Sequence, residues 1–159
     1  MRRLALLALV AAAAGCGGDG ETTTVTVATT VAGEATAPPP LPSPLPEDGI
    51  LPVEEFNAYT QEVDEPWEHD LASVASAFVD AGATDAARRS FASTSRDEGA
   101  TATATLILDG LFDDSVRARR YDYELRRRQN GTWELLSATW AQSCRAGRGH
   151  EDFTAEPCI

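Results

Sequence analysis

The chain has no lysine; all thirteen of its basic residues are arginine. That bias accords with a GC-rich genome, because arginine codons are GC-rich, and by itself it excludes no function. Other scarcities exclude more. Cysteine occurs three times and histidine twice. A structural zinc site needs four Cys or His ligands, whereas the C-terminal stretch supplies only Cys144, Cys158 and His150. No apolar run reaches the ~20 residues of a membrane-spanning helix. No arginine lies between Leu51 and Ala87, which carry nine acidic residues, and the net charge of the chain is −12. Nucleic acid is therefore excluded as a partner, since phosphate binding requires a basic footprint. No internal repeat is visible, and nothing surrounds Ser143 with the turn pattern of an activated serine. No aromatic residue occurs from Gly17 to Gly49.

What is present begins with "MRRLALLALVAAAAGC". Arg2 and Arg3 form a positive start, Leu4 to Ala14 an unbroken apolar run, and small residues lead to Cys16. This is the layout of a secretory signal peptide over residues 1–15. "AAGC" at Ala13–Cys16 resembles the lipobox of bacterial lipoproteins, with Ala13 where such boxes usually carry Leu. The resemblance implies that Cys16 receives a diacylglyceryl group and, after cleavage, a further acyl chain such as palmitate. Two or more chains anchor stably where one does not. The expected location is the outer face of the cell membrane, lipid-anchored; plain secretion is the alternative.

Residues 16–50 are rich in Thr, Ala and Pro and read as a disordered linker. Such a composition buries too little apolar surface to offset its ordering entropy. "PPPLPSPLP" favours polyproline II, and a fully extended stalk of about thirty residues would reach ~100 Å. The alternation in "TVTVATTV" suits a strand, but its surroundings favour a spacer.

Residues 51–159 form one domain of ordinary size. Phe56, Tyr59 and Val63 predict a first helix from about Pro52 to Glu62. "DEPWEHDLASVASAFVDAG" predicts a second, capped by Asp64 or Glu65, with Pro66 in its first turn and Gly82 as its stop. Its apolar stripe runs through Trp67, Leu71, Val74, Ala75, Phe78 and Val79. His69, between Glu68 and Asp70, reads as exposed. Residues 84–96 lean to an edge strand, with a helix capped by Thr84 as the alternative. "TATATLILDGL" starts the firmer β region. In "SVRARRYDYELRRR", Tyr121, Tyr123 and Leu125 share one face and Arg120, Asp122, Glu124 and Arg126 the other. Val116 and Ala118 have the opposite parity, which predicts a bulge near Arg119. Asn130-Gly131 signals a hairpin. In the last strand, Leu136, Ala138 and Trp140 share one face by parity, Trp133 and Leu135 the other. The fold class is α+β: two N-terminal helices packed on a curved antiparallel sheet of three or four strands. The order is similar to cystatin-like or nuclear-transport-factor-like folds and carries no function with it. The acidic segment before Ala87 is expected to pair with the arginines of the sheet.

In an oxidising compartment, with lipid on Cys16, Cys144 and Cys158 are left as an even pair. A disulfide closing a loop of about fifteen residues contributes ~3 kcal/mol in the chain-entropy model. Between the cysteines, Arg148, His150 and Asp152 form a possible polar site, read here as a turn that hydrogen-bonds back onto the sheet, with Phe153 filling an apolar gap. The ending also resembles a family of exported proteins and lipoproteins, mostly actinobacterial, with the pattern Q-x-C-x-x-G-R-G-H-x-D-F-x-x-x-x-C. Gln142, Cys144, Gly147, Arg148, Gly149, His150, Asp152, Phe153 and Cys158 match it. The resemblance implies an architecture and no particular activity.

The leading functional expectation is a membrane-anchored extracytoplasmic lipoprotein with a small non-catalytic binding or structural domain. It has no cofactor, the membrane as partner through Cys16, and an unidentified protein or small molecule as the other. A carrier of a small apolar ligand or lipid is the alternative, with Trp67, Phe78, Tyr121, Tyr123 and Trp140 as the possible pocket. A hydrolase using His150 and Asp152 is the third reading.

Overall fold

The computed structural model describes residues 37–63, 65–80 and 86–159. The readings of the signal peptide, the lipobox, Cys16 and the first part of the linker lie outside the described residues.

Strand β1 (Ile50–Leu51) is followed by helices α1 (Glu54–Glu62) and α2 (Leu71–Asp80), with a short 3-10 turn at Pro66–His69 between them. Four long strands complete the chain: β2 (Ala86–Arg96), β3 (Thr101–Leu111), β4 (Val116–Arg127) and β5 (Trp133–Cys144). All pair antiparallel in one sheet of order β1-β5-β4-β3-β2. The class is α+β, as expected, but the sheet has five strands, not three or four. The extra one is β1, a two-residue strand against Ala138 and Thr139, too short for any alternation to betray it. Residues 86–96 are strand. Nearly all of this edge strand is exposed on both faces, which is why its sequence shows no clear period.

The second helix is broken. Asp70 is extended (φ −110°, ψ 121°), and its carboxylate accepts from the backbone N–H of Ser73 at 2.8 Å, so Asp70 caps α2. Trp67 thus sits on the preceding turn, where Glu65 and Glu68 form a capping box. The stripe survives the break. Phe78 meets Phe56 edge-on at 5.1 Å and Tyr123 at 6.0 Å, and the Tyr123 hydroxyl donates to Ala75 O at 3.2 Å. Trp67 stacks on Tyr59 at the margin. With Leu106, Leu108, Tyr121, Leu125 and Leu135 these helix residues make the core. Each fully buried large apolar side chain contributes about 1.5–3 kcal/mol relative to exposure.

Two bulges decide which residues reach that core. Register shifts between Val116 and Ala118, so Arg117 and Ala118 together oppose Ser143. Val116 is thereby returned to the core cluster while Ala118 is not part of it. The bulge expected near Arg119 is two residues earlier. A second shift lies between Glu124 and Leu125, which pair with Ser137 and Leu135. It turns the start of β5 over. Trp133, Leu135, Ala138 and Trp140 all face inward, and Leu136 is 47 % exposed against 2 % for Leu135. The strict parity that grouped Leu136 with Ala138 and Trp140 fails at this one inserted residue. Asn57 of α1 fills the irregularity. Its amide donates to Leu135 O at 2.8 Å and its carbonyl accepts from Leu135 N at 3.0 Å.

Residues 37–49, read from composition as linker, lie against the domain. Leu41 and Leu45 pack on the core, and the Trp140 indole N–H donates to Pro46 O at 2.9 Å. At the Asn130-Gly131 hairpin, Gly131 takes φ +89°, and Asn130 Oδ1 accepts from the Thr132 backbone and hydroxyl.

Candidate functional site

The tail beyond β5 is a folded-back loop. Cys144 and Cys158 are joined by a disulfide, with their Cα atoms 5.5 Å apart. Gln142 and Thr154 exchange backbone hydrogen bonds at 2.7 and 3.0 Å, and the Gln142 side-chain amide donates to Glu156 O at 2.8 Å. Gly149 (φ +129°) passes so close to the disulfide that a Cβ there would lie 3.1 Å from Cys144 Sγ, so only glycine suits both the dihedral and the space.

His150 is the strut of this loop. Its Nδ1 lies 2.8 Å from Asp152 O and its Nε2 2.9 Å from Glu156 O. Those bonds to backbone carbonyls, with the nearby Glu156 and Asp152 charges, outweigh partial burial and raise its pKa above the ordinary value. The imidazolium, which donates from both nitrogens, is the form that satisfies both carbonyls. His150 and Asp152 are thus linked through the aspartate's backbone, not its carboxylate. Arg148 enters through its main chain, bonded to Arg145 O and Ile159 N, and its side chain is exposed. Ser143 is fully buried; its hydroxyl donates to Glu151 O at 2.7 Å and receives Arg117 Nη2 at 3.1 Å. Phe153 is half-buried, with the Arg120 guanidinium 5.1 Å from its ring centre. Possible ligand atoms of Cys144, His150 and Cys158 lie within 4.8 Å of one another. With the sulfurs bonded to each other, the trio is not available to a metal.

A different feature offers a cavity. Between residues 40–47, the core face of β4 and β5, α2 and the returning tail lies a cavity of about 580 Å³, within the ~300–1,000 Å³ typical of small-molecule sites. Leu41, Leu45, Val79, Tyr121 and Trp140 line it, with Ala155 and Pro157 of the tail, Glu47 from the strap formed by residues 37–49, and Arg119 and Gln142. Of the five aromatic residues expected at a pocket, the structure brings Tyr121 and Trp140 together there. Phe78 and Tyr123 fill the core, and Trp67 stacks at its margin.

Sequence reasoning passed over Arg119, although parity exposed it. It shares the phase of Tyr121, Tyr123 and Leu125, and it pairs with Leu108 and Gln142, both buried. It therefore projects to the core side of a central strand. Its Nε is buried with no hydrogen-bond partner, and among the described residues no carboxylate forms an ion pair with it. Burial pushes the Tyr121 phenol above its usual pKa, and the neighbouring Arg119, by charge and hydrogen bond, works against that rise.

Comparison with protein-family models, with curated proteins and with solved structures finds no match to this chain, so the functional reading rests on its own residues.

Proposed function

We propose that this chain is an exported lipoprotein, anchored through a diacylated Cys16 on the outer face of a membrane, whose domain binds a small molecule without transforming it. The N-terminal sequence supports the anchor, and the order of helices before an antiparallel meander suits a cystatin-like or nuclear-transport-factor-like domain. The observation that carries the binding half is the cavity beside Arg119. Its polar groups (the Arg119 guanidinium, the Tyr121 phenol, the Gln142 amide and the exposed Glu47 carboxylate) suit recognition of a ligand. The strap of residues 37–49, which precedes β1 in the chain, forms one wall.

The test is expression in a bacterial host with the native N-terminus. The expected result is a membrane-associated product whose N-terminal peptide begins at an acylated Cys16, and a Cys16→Ser form that native mass spectrometry finds carrying a small apolar molecule or accepting one from a panel. A full-length product retained in the cytosol, or a Cys16→Ser form that accepts none, would reject the anchor or the binding role respectively.

A further inference from the structure

We infer that the cavity takes an amphiphile with a single carboxylate, its head on Arg119 and its chain against the strap. This rests on the binding role proposed above and adds the chemistry of the ligand. Three observations lead to it. The first is that a guanidinium occupies an inward position on a central strand, between Leu108 and Gln142. Removing a charge from water is costly unless a counter-charge or full hydrogen bonding offsets it. The other arginines of the sheet for which ion pairs are described have such partners: Arg88 with Asp109, Arg120 with Asp122, and Arg126 and Arg128 with Glu134. Arg119 has the Tyr121 phenol and the more distant charge of Asp113, and its Nε is buried without an acceptor. Arg119 as a whole is half-buried and lines the cavity, so an anion there would meet a guanidinium that no carboxylate among the described residues already engages.

Second, the Arg119 side chain borders a space large enough to hold a ligand. The planar guanidinium matches a carboxylate in fork geometry. Third, the remaining walls are apolar: Leu41, Leu45, Val79 and Trp140. A fully polar anion would leave them wet, and a neutral hydrocarbon would leave the guanidinium uncompensated. Glu47, exposed at the strap side, is the other charged residue of the lining, so Arg119 is the place for the ligand's carboxylate. A fatty acid from a membrane and a free aliphatic acid share this chemistry.

The experiment uses the full chain carrying Cys16→Ser, titrated calorimetrically with decanoate and with decan-1-ol, both below their aggregation limits. Decanoate is expected to bind saturably at one site, and decanol about tenfold or more weaker, in line with a charge-assisted hydrogen bond. Arg119→Gln should weaken decanoate about tenfold and leave decanol unchanged. A second variant, Leu41→Trp, fills the cavity from the strap side; because Leu41 also packs on the core, its cooperative melting is checked first, and the folded variant should lose decanoate binding, which keeps the test open if Arg119→Gln fails to fold. Transfer of decanoate from vesicles at the rate of vesicle collisions would identify the membrane as source, and uptake from solution alone the free acid. Equal binding of acid and alcohol overturns the head-group assignment while leaving a binding role intact. No binding of either, or full decanoate affinity in Leu41→Trp, overturns the cavity as the site.

Discussion

Asn57 shows how much one side chain settles. Its amide takes both main-chain groups of Leu135, at the point where the β5 bulge interrupts the ladder. Asn57→Ala leaves a donor and an acceptor unmatched, and a loss of about 1–3 kcal/mol is expected in urea unfolding. Asn57→Asp keeps the acceptor and loses the donor, so it should fall between wild type and Ala; equal stability of all three would show the clamp to be idle. His150 makes the second residue-scale prediction. Its bonds to Asp152 O and Glu156 O raise its folded pKa. A raised pKa means that the folded state binds the proton more tightly than the unfolded one. The stability it confers is complete below the ordinary value of ~6.5 and is lost as pH rises through the raised value. Protection factors of the tail amides, corrected for the base-catalysed intrinsic exchange rate, should therefore fall on passing from mildly acidic to alkaline pH, and His150→Gln should abolish that fall. Asp113 acts in the opposite sense. Backbone N–H groups of Val116 and Ser115 hold its carboxyl low, so its contribution is present above ~3.9 and is lost as pH falls through the lowered value.

At the scale of elements, alternation made β3 and most of β4 legible, because each has one face on the core and one in solvent. Arg119 shares the phase of Tyr121, Tyr123 and Leu125, but the opposite parity of Val116 and Ala118 put the expected bulge at Arg119, which left its own facing unread. What could not be read was each place where one residue changes the count. The apolar stripe ran unbroken through Asp70, where the chain in fact leaves the helix. Both bulges depend on what the partner strand presents, which a single strand's sequence does not contain. The arginines of the sheet were expected to meet the acidic helical segment, yet Arg88 and Arg126 pair with the residues directly opposite, Asp109 and Glu134, since cross-strand neighbours are nearer than anything on a helix. The β5 bulge has a clean test. Leu135→Ala should cost about 2–5 kcal/mol, as for a buried leucine, and Leu136→Ala within about 0.5 kcal/mol, as for a surface site. The reverse order would restore the strict-parity register.

For the whole molecule, the tail, the strap and the cavity form one mechanical unit. The disulfide holds the loop whose Ala155 and Pro157 line the cavity, and Trp140 ties the strap to β5. Replacing both Cys144 and Cys158 by alanine should lower stability by about 3 kcal/mol, the loop-entropy value for a closure of this length. It should also quicken exchange across 150–157 and weaken ligand retention, whereas a purely remote staple would change stability alone. The proposed tether has its own physical signature. The chain is strongly acidic, and removal of Arg2 and Arg3 with a signal peptide leaves it more so. Such a surface is repelled by anionic lipid headgroups, and none of the described helices is long and apolar enough to cross a membrane. In the proposed arrangement the acyl chains on Cys16 are the principal hold. Cys16→Ser should release the exported protein into the medium at low and high salt alike, because screening has no attraction to remove. Membrane retention of that variant at low salt, lost at high salt, would instead reveal a basic contact surface and displace the lipid from its assigned role.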